Sequence, residues 1–378
     1  MAEAGPPAPR RDLAYIDALR GYAVLLVIIV HTGTAMTQLP YPLKRLTNLG
    51  WHGVQLFFLV SCVTLMMSWR GDEARGRANA AKFWVRRSMR IAPAYYLAGL
   101  VYFFVRPPPF GFQPGIALAS ALFVNSWHPR TTPTVAGAWS VVPGGWSIGV
   151  EFSFYLLFPL IARTVRTMGQ AVMFCAGAIA LAVVTNRVVA ADLIDLYGKR
   201  AASEFLYFWL ISQLPVFALG TVLYIAIMEL TPTASGRWLG RHALVLTAAL
   251  ALAAVAVAEG HFTGYLGQSL RNPPQIALIT VLLACFSLVV SQSGPGMLVN
   301  APIRALGKVS FSAYLWHFGA LDFLRHVAPA LFAATAWAAI GAFGVVLLCA
   351  VPLVFAVSWL TYKCVELPMI NVARRLTR

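Results

Sequence analysis

Charged residues, and acidic residues above all, are scarce in this sequence. Asp and Glu together number 13 against 29 Lys and Arg among 378 residues, and 11% of the chain is charged while 59% is hydrophobic. A soluble globule of this length needs more charge to cover its surface. The composition therefore excludes an ordinary soluble domain and predicts that lipid is the main solvent of the chain.

Paired cysteines and internal repeats are also missing. The five cysteines fall mostly inside apolar segments and lack metal-ligand spacing, so we expect small core residues and no metal site. No period of about 20 to 50 residues recurs, which argues against a solenoid. Basic residues are scattered between the apolar runs, a pattern that indicates a role in membrane topology and argues against nucleic-acid binding.

What is present is a series of apolar runs. A spanning helix needs about 17 to 25 apolar residues. Such runs lie near 14–36, 51–69, 90–106, 146–163, 171–190, 206–229, 242–259, 275–292, 308–326 and 335–360. They predict an all-α fold, a polytopic membrane helix bundle of about ten transmembrane helices. A shorter apolar stretch at 115–126 is predicted to be interfacial or re-entrant.

The distribution of Lys and Arg predicts the orientation of these helices. With the N-terminus in the cytoplasm, the inner segments hold about 20 basic residues and the outer ones about 9, so both termini are predicted to be cytoplasmic. We expect a disordered N-terminal segment at 1–12, a transmembrane domain at 13–362 and a basic cytoplasmic tail at 363–378. The first apolar run lacks a small-residue cleavage site and is therefore predicted to be a retained span.

Two ionisable side chains, Arg20 and His31, lie in the first predicted span. At about 100° per residue their spacing makes three turns plus about 20°, so both project from one helical face, about 16 Å apart. Ionisable groups at that depth are costly and usually face a polar cavity, so we expect the two to line one water-accessible passage. The alternative is a snorkelling Arg at the boundary and a structural His bonded to a neighbouring helix.

Arg87 and Arg90 begin the third predicted span, next to Arg86 and on one helical face. Their guanidinium groups and the free N–H groups of the helix start could bind phosphate oxygens. The alternative is that these charges only fix the topology.

Glu151 belongs to the fourth predicted span, which runs from the outside to the inside. It is predicted to lie about 8 Å below the outer face, which is also the predicted depth of His31. A carboxylate there could orient and charge His31 as a base. The alternative is a structural bond from Glu151 to an indole or an Arg.

Five segments resemble, in order, the motifs of the acyltransferase-3 family of membrane O-acyltransferases. Arg20 and His31 resemble its Arg-x10-His signature. The other segments resemble its second-helix segment, its Arg-x-x-Arg loop, its Trp-Ser-x-x-x-Glu segment and its late Gly-x-x-Ser-x-x-x-Tyr-x-x-His stretch. They are residues 53–58, 83–95, 145–156 and 306–317. Gln55, Cys62 and Phe152 depart from the residues of many members, so the subfamily stays open.

The resemblance implies an enzyme of the bacterial inner membrane that moves an acyl group, by default acetyl, from acyl-coenzyme A to a hydroxyl of a surface glycan or its lipid-linked precursor. The donor's phosphates would be held by Arg86, Arg87 and Arg90. Arg20 would guide the pantetheine arm, and His31 would act as general base, or carry the acyl group covalently, with Glu151 as its partner. Secondary substrate-binding candidates, each also explicable as a structural residue, are His52, Trp146, Tyr314 and His317.

Two other functions are compatible with the sequence. An O-acyltransferase of a small-molecule natural product, working from the cytoplasmic side, would carry the same motifs. A secondary transporter also places buried charges in such a bundle, although paired halves with matching broken helices are not found in the sequence. We expect no hydrolase-like domain after the last predicted span, so that passing the acyl group to such a domain would require a separate partner protein.

Overall fold

The computed structural model of the protein describes residues 13–258, except 134, 136 and 137, and residues 273–377, except 336. The segment predicted to be disordered, 1–12, lies outside these residues. The described residues form helices and no strand. The helices are α1 (Ala14–Ala35), α2 (Tyr41–Asn48), α3 (Gly53–Glu73), α4 (Ala80–Val105), α5 (Pro114–Ala121), α6 (Trp146–Thr164), α7 (Met168–Phe208), α8 (Leu210–Leu230), α9 (Ala234–Arg241), α10 (Ala243–Ala258), α11 (Pro273–Gln292), α12 (Ala301–Lys308), α13 (Ser310–Val327), α14 (Pro329–Phe332), α15 (Ala338–Thr361) and α16 (Leu367–Leu376).

Each of the ten apolar runs of the sequence corresponds to one of these helices. Within the described residues, five segments are long and apolar enough to cross a membrane, or six if α9 and α10, bent by 72°, form one span. The stretch at 115–126 contains α5, whose 8 residues are too few to span. The protein is an all-α, multi-pass membrane helix bundle; the count of ten spans and the cytoplasmic termini stay predictions.

Local sequence explains where two of the long helices begin. The side chain of Asn79 accepts a hydrogen bond from the backbone N–H of Lys82 and so caps α4. Helix α7 begins with a capping box between Thr167 and Gln170. The cap at Asn79 fixes the start of α4 and therefore places its arginines within the first three turns of that helix.

Helix α1 occupies the centre of the candidate site and packs against α3, α12, α13 and α15. Its contact with α12 is close enough to exclude side chains at two positions. A Cβ atom on Gly307 would overlap the carbonyl oxygen of Asp17, and one on Gly21 would overlap that of Ile303. These two glycines let the backbones touch, which holds the first turns of α1, including Arg20, beside α12.

We expect Gly307→Ala to force α1 and α12 apart and to lower the melting temperature of the purified protein. The added methyl group would meet backbone atoms, which cannot rotate away, and overpacking of this kind costs about 1–3 kcal/mol or more. Gly177→Ala on α7, where a Cβ meets nothing within 4 Å, is the matched control. Thermal unfolding of both variants in detergent checks the prediction, and an unchanged melting temperature for Gly307→Ala would contradict it.

The segment predicted to be a basic tail forms a helix that packs on the bundle. Helix α15 continues through a π-helical turn, Tyr362–Glu366, into α16, and α16 packs against α4. π-helical turns inside α-helices occur frequently at functional sites. Glu366 of this turn is buried and accepts a hydrogen bond from the hydroxyl of Ser312. The end of the described chain is therefore part of the wall beside α4.

Candidate functional site

A basic cavity, which we call the vestibule, opens between the first turns of α1, the start of α4, the end of α12 and helix α16. Its volume is about 980 Å³, its open mouth included. Its charged lining residues are the cations Arg20, Arg86, Arg87, Arg90, Lys308 and Arg374 and the acids Asp17 and Glu366. A cavity in which cations outnumber acids by six to two attracts anions.

A second cavity, the inner chamber, continues from the vestibule into the bundle and has a volume of about 650 Å³, its open mouth included. Arg20, Arg87 and Arg90 line both cavities, so the two meet at these side chains. The other polar residues of the chamber are Ser61, Ser147, Glu151, Tyr155, Ser310 and Tyr314. A ligand could therefore leave a charged head in the vestibule while an attached chain reaches into the bundle.

The three arginines of α4 differ in how their charges are balanced. Arg86 forms an ion pair with Asp72, with 2.5 Å between Nη2 and Oδ2. The guanidinium of Arg87 lies over the ring of Phe83 at 5.7 Å. In the part of the chain that the structure describes, neither Arg87 nor Arg90 makes an ion pair. Arg87 and Arg90 therefore keep their charge available for a bound anion, whereas Asp72 already balances that of Arg86.

Glu151 lines the inner chamber, which Arg20 also lines. It does not face His31. Its carboxylate accepts hydrogen bonds from the hydroxyl groups of Ser61 and, at 2.6 Å, Tyr155. The structure thus corrects the predicted pairing of Glu151 with His31, because the two side chains line different cavities. Equal depth along two helices does not determine which neighbouring helix a side chain faces. In the inner chamber, the hydroxyl groups of Ser61 and Tyr155 supply the hydrogen bonds that the carboxylate of Glu151 needs.

His31 lines a third cavity, the outer pocket, which has a volume of about 500 Å³, its open mouth included. Its wall includes Arg106, which follows α4 and forms a bidentate ion pair with Asp322 of α13. Arg325 also lines this pocket, and its Nη2 donates to the carbonyl of Ala35 at 2.7 Å. The outer pocket lies at the opposite ends of α1 and α4 from the vestibule. The prediction that Arg20 and His31 line one passage is therefore wrong. Arg20 lines the vestibule and the inner chamber, and His31 lines the outer pocket.

A wall of rings separates the inner chamber from the outer pocket. The ring of His317 lies 5.0 Å from that of His31 and 5.6 Å from that of Tyr314, measured between centroids. The Nδ1 atom of His317 is 2.6 Å from the backbone oxygen of Tyr314 and, because a carbonyl only accepts, Nδ1 is the donor. The Nε2 atom then carries the lone pair, and it has no hydrogen-bond partner among the described residues.

Tyr314 forms the chamber side of this wall and is locked in place. Its hydroxyl donates to the backbone oxygen of Gly144 at 2.9 Å and accepts from the hydroxyl of Ser147 at 2.8 Å. Gly144 has a φ of 78°, and a Cβ atom there would lie 2.9 Å from the tyrosine oxygen. The turn before α6 is thereby joined to α13.

We expect Tyr314→Phe to release this lock and to destabilise the protein by about 0.5–1.5 kcal/mol, the net value of a lost hydrogen bond, because Ser147 Oγ also lies 3.1 Å from the Gly144 oxygen and can still donate to it. Tyr96→Phe is the matched control, because the Tyr96 hydroxyl also donates to a backbone oxygen, that of Ala121, but at an exposed position. Thermal unfolding of the two variants gives the comparison. If Tyr314→Phe melts no earlier than Tyr96→Phe, the hydroxyl does not hold the wall.

Residues 13–362 of the chain match the family described as an acyltransferase domain, the acyltransferase-3 family. The chain belongs to this family. It is therefore a membrane O-acyltransferase.

Three named relatives of this acyltransferase cover most of its length. Acyltransferase MdmB of Streptomyces mycarofaciens is 30% identical over 83% of this chain and 80% of its own length. Exopolysaccharide production protein ExoZ of Rhizobium meliloti is 28% identical over 73% of this chain and 78% of its own. O-acetyltransferase OatA of Staphylococcus aureus is 24% identical over 83% of this chain, which spans only 51% of OatA. No solved structure matches the chain.

Two of the secondary candidates of this acyltransferase lie outside the three cavities. Trp146 is buried against Phe58 and Phe208, with ring centroids 6.3 Å and 4.5 Å away, so it packs in the core. His52 belongs to a 3₁₀ turn before α3, and its buried Nδ1 has no hydrogen-bond partner within the described residues. Tyr314 and His317 differ from these two because they form the wall beside His31.

Several residues of the site of this acyltransferase were not found from the sequence. The ion pair of Arg106 with Asp322 joins residues 216 positions apart, and a single sequence contains no signal for it. Ser61 and Tyr155 look like ordinary polar residues in apolar runs until their contact with Glu151 is seen. Asp322 did carry a usable signal, because an acid within an apolar helix usually faces a polar cavity.

Proposed function

We propose that this enzyme moves an acyl group, acetyl by default, from acyl-coenzyme A on the cytoplasmic side of the bacterial inner membrane to a hydroxyl of a surface glycan or its lipid-linked precursor. The observation that carries the proposal is a pair of entrances at opposite ends of α1 and α4 that lead to one wall. A donor and an acceptor on opposite sides of a membrane need two such entrances and one meeting point. The names of ExoZ and OatA support a polysaccharide-type acceptor and an acetyl group.

The vestibule and inner chamber suit an acyl-coenzyme A. Arg87 and Arg90 are available to its diphosphate, since Arg forms bidentate hydrogen bonds with phosphate. The inner chamber then takes the pantetheine arm, with Arg20 at its entrance. Glu151 balances part of the positive charge in the chamber without occupying the donors of the arginines, because its hydrogen bonds come from Ser61 and Tyr155.

His31 acts as the general base in this proposal. It takes the proton of the acceptor hydroxyl while that oxygen attacks the thioester carbonyl, so a C–O bond forms as the C–S bond breaks. The thiolate of coenzyme A leaves and takes up the proton. The wall of Tyr314 and His317 has to yield for the thioester to reach His31. A two-step variant, with acyl-His31 formed from the inside and attacked from the outside, uses the same residues.

The proposal is tested by the sidedness of transfer in sealed vesicles that contain the protein. Inverted vesicles with glycan inside and radiolabelled acetyl-coenzyme A outside should form labelled glycan. Right-side-out vesicles given the donor outside should form none, because the vestibule then faces the lumen. Labelling of a small hydroxyl compound offered on the donor's side, without labelling of glycan, would instead indicate a natural-product O-acyltransferase.

A further inference from the structure

Three cations of the vestibule lie away from its junction with the inner chamber. Arg20, Arg87 and Arg90 line both cavities, whereas Arg86, Lys308 and Arg374 line the vestibule alone, and Arg86 is already paired with Asp72. Lys308 ends α12 and Arg374 lies on α16. Lys308 and Arg374 therefore extend the basic lining of the vestibule onto helices other than α4.

No ion pair within the described residues neutralises the charges of Lys308 and Arg374. Of the two acids that line the vestibule, Glu366 is engaged by Ser312. Asp17 is shared among several cations, Arg20 first and Lys308 second. An anion bound in the outer vestibule would thus meet an excess of positive charge.

We propose that Lys308 and Arg374 bind the 3′-phosphate of coenzyme A. The inference rests on the proposed function, which takes the donor to be an acyl-coenzyme A. If the pantetheine arm enters the chamber, the diphosphate lies at the junction, with Arg87 and Arg90. The ribose and its 3′-phosphate follow on the other side of the diphosphate and so lie in the outer vestibule. That phosphomonoester carries about −1.5 to −2 charges at pH 7, which a point charge and a planar guanidinium can share.

The cavity also offers a surface for the rest of the nucleotide. Tyr362 and Ile370 line the vestibule together with Arg374. The π-helical turn contains Tyr362 and leads directly into α16. The adenine base can rest on these side chains while the ribose phosphate faces the cations, so the end of the chain sets the nucleotide preference of the enzyme.

The test is equilibrium binding of coenzyme A and 3′-dephospho-coenzyme A to the full-length protein in lipid nanodiscs. We expect the wild type to bind the dephospho form about ten- to a hundredfold more weakly. The double variant Lys308→Gln with Arg374→Gln should bind coenzyme A as weakly as the wild type binds the dephospho form. Its affinity for the dephospho form should equal that of the wild type. Arg375→Gln, one position further along α16 and outside the vestibule lining, should retain the wild-type preference.

The outcomes separate this inference from the proposed function. Equal binding of the two nucleotides by the wild type, or a preference retained in the double variant, would overturn the phosphate site and leave the donor assignment intact. No binding of coenzyme A at all would overturn both. If the double variant does not fold, Arg374→Gln alone, at an exposed position of α16, should still lose part of the preference. A full preference in that variant would count against the site.

Discussion

His31→Ala should slow acyl transfer by about 10²–10⁴, the usual contribution of a general base, without lowering the amount of protein in the membrane. The substitution removes the imidazole that lines the outer pocket and leaves the vestibule, at the other end of α1, untouched. The affinity for coenzyme A should therefore stay at the wild-type value while the rate falls. Transfer of radiolabelled acetyl groups and nucleotide binding, measured on the same preparation, give the two readouts.

The controls for His31 distinguish chemistry from packing. His31→Gln retains a polar side chain of similar size but cannot take up a proton at neutral pH, so it should be as slow as His31→Ala. His326→Ala removes an exposed histidine near the end of α13 and should transfer at the wild-type rate. Wild-type transfer by either His31 variant would remove this residue from the mechanism. A parallel loss of nucleotide binding would show instead that His31 is structural.

The sequence allowed the parts of the site that depend on a single helix to be predicted. Runs of apolar residues predict helices because backbone groups in lipid must be bonded within their own segment. The rise per residue then separates Arg20 from His31 by about 16 Å. The structure agrees with that separation, since the two residues line cavities at opposite ends of α1.

Relations between helices were not predictable in the same way. Glu151 has the predicted depth of His31 in the span assignment, yet its partners are hydroxyl groups of α3 and of its own helix. Arg86 looks identical to Arg87 in the sequence, but its partner Asp72 lies on the preceding helix. Lateral direction and pairing depend on how the helices pack, and one sequence contains periodicity but not packing.

The structure of residues 363–377 was also not predictable from the sequence, for a different physical reason. A basic segment after a final span has the composition of a cytoplasmic tail, and it was predicted to be one. In the structure its arginines follow a π-helical turn, α16 packs against α4, and Arg374 lines the vestibule. Local sequence does not reveal a π-helical turn, because one inserted residue changes the register without changing the composition.

Changing Arg87 and Arg90 together to Gln should weaken binding of coenzyme A by about 10²–10⁴. Each guanidinium would lose charge-assisted hydrogen bonds worth about 1.5–3 kcal/mol, and each 1.4 kcal/mol is a tenfold change in affinity. The expected loss follows from their position, because these two side chains line both the vestibule and the chamber and make no ion pair among the described residues. Equilibrium binding of coenzyme A to the variant in nanodiscs checks it.

Two further arginines decide whether this loss reflects a site or only the positive field of the segment between α3 and α4. Arg77→Gln removes the same charge from an exposed position of that segment and should leave the affinity nearly unchanged. Arg86→Gln should cost stability more than affinity, because the buried Asp72 would lose a partner and keep Arg75 alone. If single substitutions at all four positions weaken binding of coenzyme A equally, the arginines act only through their summed positive field. If only the substitutions of Arg87 and Arg90 weaken it strongly, the junction of the two cavities binds the phosphates.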